Sequence, residues 1–101
     1  MIIKLAKPHK YEDKEIEEID LDFDKATTSA LVRADKRLAS MKHVPLVKQM
    51  DTTYCLLVAS FICGIPFQSL EALPLSEGNR VATMVSGFLL GSSEEEMTDA
   101  I

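Results

Sequence analysis

The cysteine, histidine and carboxylate side chains are the groups of this chain that could do chemistry, and their spacing offers little of it. Cys55 and Cys63 stand eight residues apart in the run Tyr54-Cys55-Leu56-Leu57-Val58-Ala59-Ser60-Phe61-Ile62-Cys63. On a helix that separation is about 12 Å along the axis, beyond the roughly 7 Å between Cα atoms that a disulfide tolerates. A nucleophilic thiol needs an electropositive, partly exposed site, whereas these two lie in the most apolar stretch of the chain. Both are expected to be small apolar packing groups, free in a reducing cytoplasm, since no secretory signal or paired cysteine spacing is seen.

His9 and His43 are the two histidines, and neither stands in a HExxH or Cys-x-x-Cys setting that would suit zinc. Glu15, Glu17, Glu18 and the run Glu94-Glu95-Glu96 read as solvated charge, because a hard cation needs oxygens converging from a fixed geometry. The four glycines form no GxGxxG or GxxxxGK phosphate loop. The expectation is a protein with no catalytic residue, no metal and no cofactor, and therefore not an enzyme.

Net charge narrows the partners. At −5 over 101 residues the chain lacks the concentrated cationic footprint of a non-specific nucleic-acid binder. Lys36, Arg37, Lys42 and Lys48 give the middle a basic bias, read here as a solvated helix face. The apolar run at Tyr54 is shorter than the roughly 18 residues that cross a bilayer. Neither nucleic acid nor membrane is expected as a partner.

Which elements hold these residues follows from periodicity. Met1-Ile2-Ile3-Lys4-Leu5 and Ile19-Asp20-Leu21-Asp22-Phe23 read as strands of a hairpin joined by a long polar loop. Such a hairpin is marginal alone and must lay Leu5, Ile19, Leu21 and Phe23 on something. Leu31, Ala34, Leu38 and Met41 recur at helical spacing and predict a helix over 28–41, capped by Thr27 or Thr28 and followed by the break His43-Val44-Pro45. A second helix, capped by Asp51 or Thr52, should run to Cys63 and stop at Gly64 in the left-handed region. Residues 66–73 predict a two-turn helix closed by Pro74, and Ser76 a cap for the last helix. That helix carries Val81, Met84, Val85, Phe88 and Leu89 on one stripe and should end at Gly91.

The fold class so read is α+β: an N-terminal β-hairpin (1–23) followed by a bundle of three to four α-helices (28–91). Residues 1–91 form one domain, and 92–101 an acidic, flexible tail. The Gly64 turn could serve a helix-turn-helix, but 66–73 holds Glu71 and no Lys or Arg to meet phosphates. The last stripe could face a partner instead of the core.

The order of these features resembles a known family. Ile2-Ile3-Lys4-Leu5-Ala6-Lys7-Pro8, Tyr11-Glu12-Asp13-Lys14-Glu15 and Ile19-Asp20-Leu21, then Asp51-x-x-Tyr54, Ala59, Gly64-Ile65-Pro66, Leu70-x-x-Leu73-Pro74 and Val81-x-x-x-Val85-x-x-Phe88-Leu89, are similar to the small tail assembly chaperones of long-tailed bacteriophages and prophages. Asp24 to Leu31 matches the family's acidic segment only loosely. The resemblance implies a non-enzymatic protein of the host bacterial cytoplasm, absent from the mature virion. It would bind the tape-measure protein and keep it in solution while tail-tube subunits polymerise around it. It also implies self-association into a homo-oligomer, contact with the tail-tube protein, and a longer frameshifted form. The partner-binding residues expected on this basis are Phe67, Leu70, Val81, Met84, Val85, Phe88 and Leu89. The competing expectations are a structural head–tail connector component and a small helix-turn-helix DNA-binding regulator.

Overall fold

A computed structural model describes residues 2–99, with side chains to Gly91. Strand β1 (Ile2–Tyr11) pairs antiparallel with β2 (Lys14–Asp20), and four helices follow: α1 (Thr28–Ser40), α2 (Thr52–Cys63), α3 (Phe67–Glu71) and α4 (Leu75–Asp99). A single 3₁₀ turn, Lys48–Met50, precedes α2. The α+β class, with hairpin first and helices after, is as expected.

The centre is α2. Tyr54, Cys55, Leu56, Leu57, Val58 and Ala59 are all buried, and six consecutive residues cover every face of a helix that turns each 3.6 residues. No single neighbour can sheath such a helix. Ala34 and Leu38 of α1, Leu70 of α3, and Val81, Ala82 and Val85 of α4 join it in one core, and Ile3, Ile19 and Leu21 close that core from the hairpin side. Local chemistry fixes the ends of α2. Asp51 Oδ2 accepts from the Tyr54 N–H at 2.9 Å, and Gly64 at φ 79° supplies the left-handed stop. Ser60 Oγ donates to the Ile65 carbonyl at 2.6 Å and braces the turn into α3.

The hairpin departs from expectation. What reads as a long polar loop is strand, and the connection is a two-residue turn at Glu12 and Asp13, with Glu12 at φ 58°. Pro8 hides this extension, because proline cannot donate to a ladder and is normally kept out of strands. Here it sits in an irregularity between the pairs Lys4↔Glu18 and His9↔Ile16, where four residues of β1 face one of β2. The second strand stops at Asp20, short of Phe23, because Asp22 opens a turn by accepting from the Lys25 and Ala26 N–H groups.

That irregularity has a structural use. It frees the Ala6 N–H from the ladder to donate to Glu77 Oε1 in the first turn of α4, at 3.2 Å. Arg80 then donates both to Glu77 Oε2 at 3.5 Å and to the Lys4 carbonyl at 3.3 Å. His9 Nε2 and the Ser69 carbonyl lie 3.1 Å apart, so the far end of the hairpin is tied to α3.

Helix ends differ in smaller ways. Thr27 occupies the N-cap of α1, but its hydroxyl pairs with Ser29 Oγ at 2.7 Å instead of capping the backbone. The C-terminus of α1 is a Schellman closure: His43 N–H donates to the Leu38 carbonyl and Lys42 N–H to that of Ala39, with Lys42 at φ 59°. Helix α3 is a single five-residue turn, shorter than 66–73. Helix α4 begins at Leu75, so Ser76 lies inside it and caps nothing. It also runs through Gly91 to Asp99, since one helical glycine costs only about 1 kcal/mol. The side chains of 92–99, and Ala100 and Ile101, lie outside the described residues, as does the expected mobility of the tail.

Removing the buried Glu77 carboxylate tests how the hairpin is held. Glu77→Ala should cost about 1–3 kcal/mol, the penalty for a donor left without its acceptor, and Glu77→Gln, which keeps an acceptor for Ala6, should cost less. Urea denaturation of the two variants measures this; equal losses would mean that the acceptor is not what matters.

Candidate functional site

The expected partner stripe divides once packed. Val81 and Val85 are fully buried and Leu70 nearly so, so three of the seven residues are core and are closed to a partner in this fold. Phe67, Met84 and Leu89 are half-buried against the same core. Phe88 remains 43% exposed, but its ring stacks on Phe23 with centroids 4.1 Å apart and planes within 8°. These two rings, with Leu31 and Ile62, border an apolar hollow of about 210 Å³.

A different apolar surface is left uncovered. Five of the ten large exposed hydrophobic side chains among the described residues fall in 41–50: Met41, Val44, Leu46, Val47 and Met50. Val44 is 89% exposed, Leu46 fully and Met50 68%. Periodicity could not find them, because Pro45 keeps the segment out of a regular helix. The available signal was an aperiodic Val44-Pro45-Leu46-Val47 run between two helices, where polar residues are the norm.

This loop is pinned. His43 Nε2 lies 2.8 Å from Asp51 Oδ1 and closes it end to end, and Lys48 Nζ lies 2.8 Å from Asp35 Oδ1 and ties it to α1. Cys55 Sγ approaches the Gln49 carbonyl at 3.5 Å from beneath. Met50 also borders a groove of about 330 Å³, with Cys55, Ala82, Thr83 and Gly87 among its walls. A Cβ added at Gly87 would meet nothing within 4 Å, so the groove is open on that side. The arrangement can bury apolar side chains of a second molecule, and it holds its own side chains in place to do so.

Burial and hydrogen bonding shift the titratable groups here. Burial alone would raise the Asp51 carboxyl, but the hydrogen bonds from His43 and from the Tyr54 N–H outweigh it and leave the pKa below the ordinary 3.8. Burial, with the nearby Asp51 charge, pushes the Cys55 thiol up to about 11, and burial raises that of Cys63. Burial, then the Asp35 charge, raises the Tyr54 hydroxyl. Both histidines are engaged in the contacts described above. Among the described residues no three His, Cys, Asp or Glu side chains cluster as metal ligands, and no helix is long and apolar enough to cross a membrane.

No protein-family model matches the chain, and neither does any curated protein or solved structure. The candidate surface therefore stands on its own geometry.

Two measurements check it. Because the folded-state pKa of Asp51 is lowered, the stability it contributes is present above about pH 4 and fades as pH falls through the folded value. Asp51→Asn keeps a capping acceptor but not the charge, so it should cost about 0.5–1.5 kcal/mol at pH 7 and flatten the loss of stability below pH 4. An unchanged acid profile would remove Asp51 from the account. For the cysteines, Ellman's reagent at pH 7.5 should label half-buried Cys63 slowly and Cys55 only after denaturant is added; rapid labelling of Cys55 in the native protein would contradict its burial.

Proposed function

We propose that this protein is a non-enzymatic tail assembly chaperone of a long-tailed phage or prophage. It binds the tape-measure protein in the host cytoplasm, keeps it in solution while the tail tube polymerises, and does not remain in the particle. The observation that carries the reading is the pinned apolar loop 41–50 beside the groove at Met50, a surface with the shape and chemistry to cover exposed apolar side chains of a client. The order of residues that carries the family resemblance, with Asp51-x-x-Tyr54, Gly64-Ile65-Pro66 and Leu70-x-x-Leu73-Pro74 in sequence, supports it from a second direction.

Magnitudes favour repeated weak contacts. Burying an exposed Val, Leu or Met side chain contributes about 1.5–3 kcal/mol. Three of them give on the order of 6 kcal/mol, and lost translational and rotational freedom offsets much of that. One chaperone on one site is then a weak complex. A long client offering many similar segments gains avidity from many copies, and self-association of the chaperone, with contacts to the tail-tube protein, adds to it.

Co-expression with a tape-measure protein of the same phage or prophage tests the proposal. The client should be recovered in the soluble fraction and co-elute with this protein on size exclusion, and Leu46→Ser combined with Met50→Ser should return most of it to the pellet. A client equally soluble with and without the chaperone ends the reading.

A further inference from the structure

The uncovered loop carries a charge opposite to the rest of the molecule. Residues 33–50 hold five Lys or Arg against one Asp, a surplus of four, and the remainder of the chain then carries a deficit of nine. Lys48 is engaged by Asp35 and His43 by Asp51, and Arg33 borders a separate hollow with Asp22 and Phe61. Lys36, Arg37 and Lys42 are exposed and make no ion pair among the described residues. Arg37 lies in the last turn of α1, Lys36 just before it and Lys42 at its Schellman closure, next along the chain to Val44 and Leu46.

We infer that the 41–50 loop and the groove at Met50 dock an acidic amphipathic helix: one apolar stripe flanked by Asp or Glu. This rests on the chaperone reading for the client's biological identity, and on charge complementarity for its chemistry. The apolar side chains of the loop supply contact, and the three free cations select the sign of the flanks and speed encounter. An anionic bilayer is the less suitable occupant. The site includes a concave groove walled by Cys55, Ala82 and Gly87, which a flat surface would leave empty, and the strongly acidic remainder of the chain would be repelled by lipid phosphates.

Two synthetic helical peptides of about six turns, identical in their leucine stripe and flanked by glutamate in one and lysine in the other, provide the test by fluorescence anisotropy against the full chain. The glutamate peptide should bind about tenfold more tightly, with the preference shrinking as salt rises from about 0.05 to 0.5 M. Lys36→Glu with Arg37→Glu should invert the preference. Leu46→Ser, at a fully exposed position, should weaken both peptides while leaving the circular dichroism unchanged. Equal affinity for the two peptides, or binding indifferent to Leu46→Ser, overturns the inference. So does a homo-oligomer that dissociates on Leu46→Ser, which would assign the surface to a second copy, or Leu46-dependent flotation with phosphatidylglycerol vesicles. Peptide selectivity without rescue of the tape-measure protein would fell the chaperone reading alone; rescue without selectivity would fell this inference alone.

Discussion

A helix that is apolar on every face cannot be half-covered, and the rest of this fold answers that requirement. From Tyr54 to Ala59 each side chain of α2 needs a neighbour, so α1 and α4 flank it, α3 folds back through the Gly64 turn, and the hairpin closes the core through Ile3, Ile19 and Leu21. The hydrophobic contribution of burying these residues is what orders a chain of this size. The polar contacts set geometry more than energy. Glu77 and Arg80 fix the hairpin on the start of α4, and Asp51 at once caps α2 and holds the loop before it through His43.

The same constraint decides which apolar residues are left over. The stripe on α4 is drawn into the sheath, so Val81 and Val85 are spent on the core and Phe88 is partly satisfied by Phe23. The leftover surface falls where the chain crosses from α1 to α2 without helical periodicity. The Lys48–Asp35 ion pair and the His43–Asp51 hydrogen bond hold it there. A loop tied at its ends loses less conformational entropy on binding than a free one would, which suits the weak, repeated contacts proposed for this surface.

How much of this was legible in the sequence follows from how local each signal is. The start and stop of α2 were readable because an Asp three residues before Tyr54 and a glycine after Cys63 act on their own backbone. The extent of the hairpin was not, because its outer half offers little apolar alternation beyond Ile16 and Pro8 looks like a breaker until the irregular register that excuses it is seen. Gly91 misled for a similar reason, since a glycine permits a helix end without requiring one. The candidate surface was the least legible part. Periodicity shows that Val81 and Val85 share a face, but what covers that face is a tertiary fact. Val44 and Leu46 follow no period at all.

Amide hydrogen exchange of the chain alone and in complex with the proposed tape-measure client tests the central claim most directly, because it reads the sheathed helix and the uncovered loop in one experiment. Amides of Leu56, Leu57, Val58 and Ala59 should exchange only through global unfolding in both states, while those of Val44, Leu46, Val47 and Met50 should be fast in the free protein and slowed in the complex. Protection gained instead on the outer face of the hairpin, with 44–50 unchanged, would contradict the account.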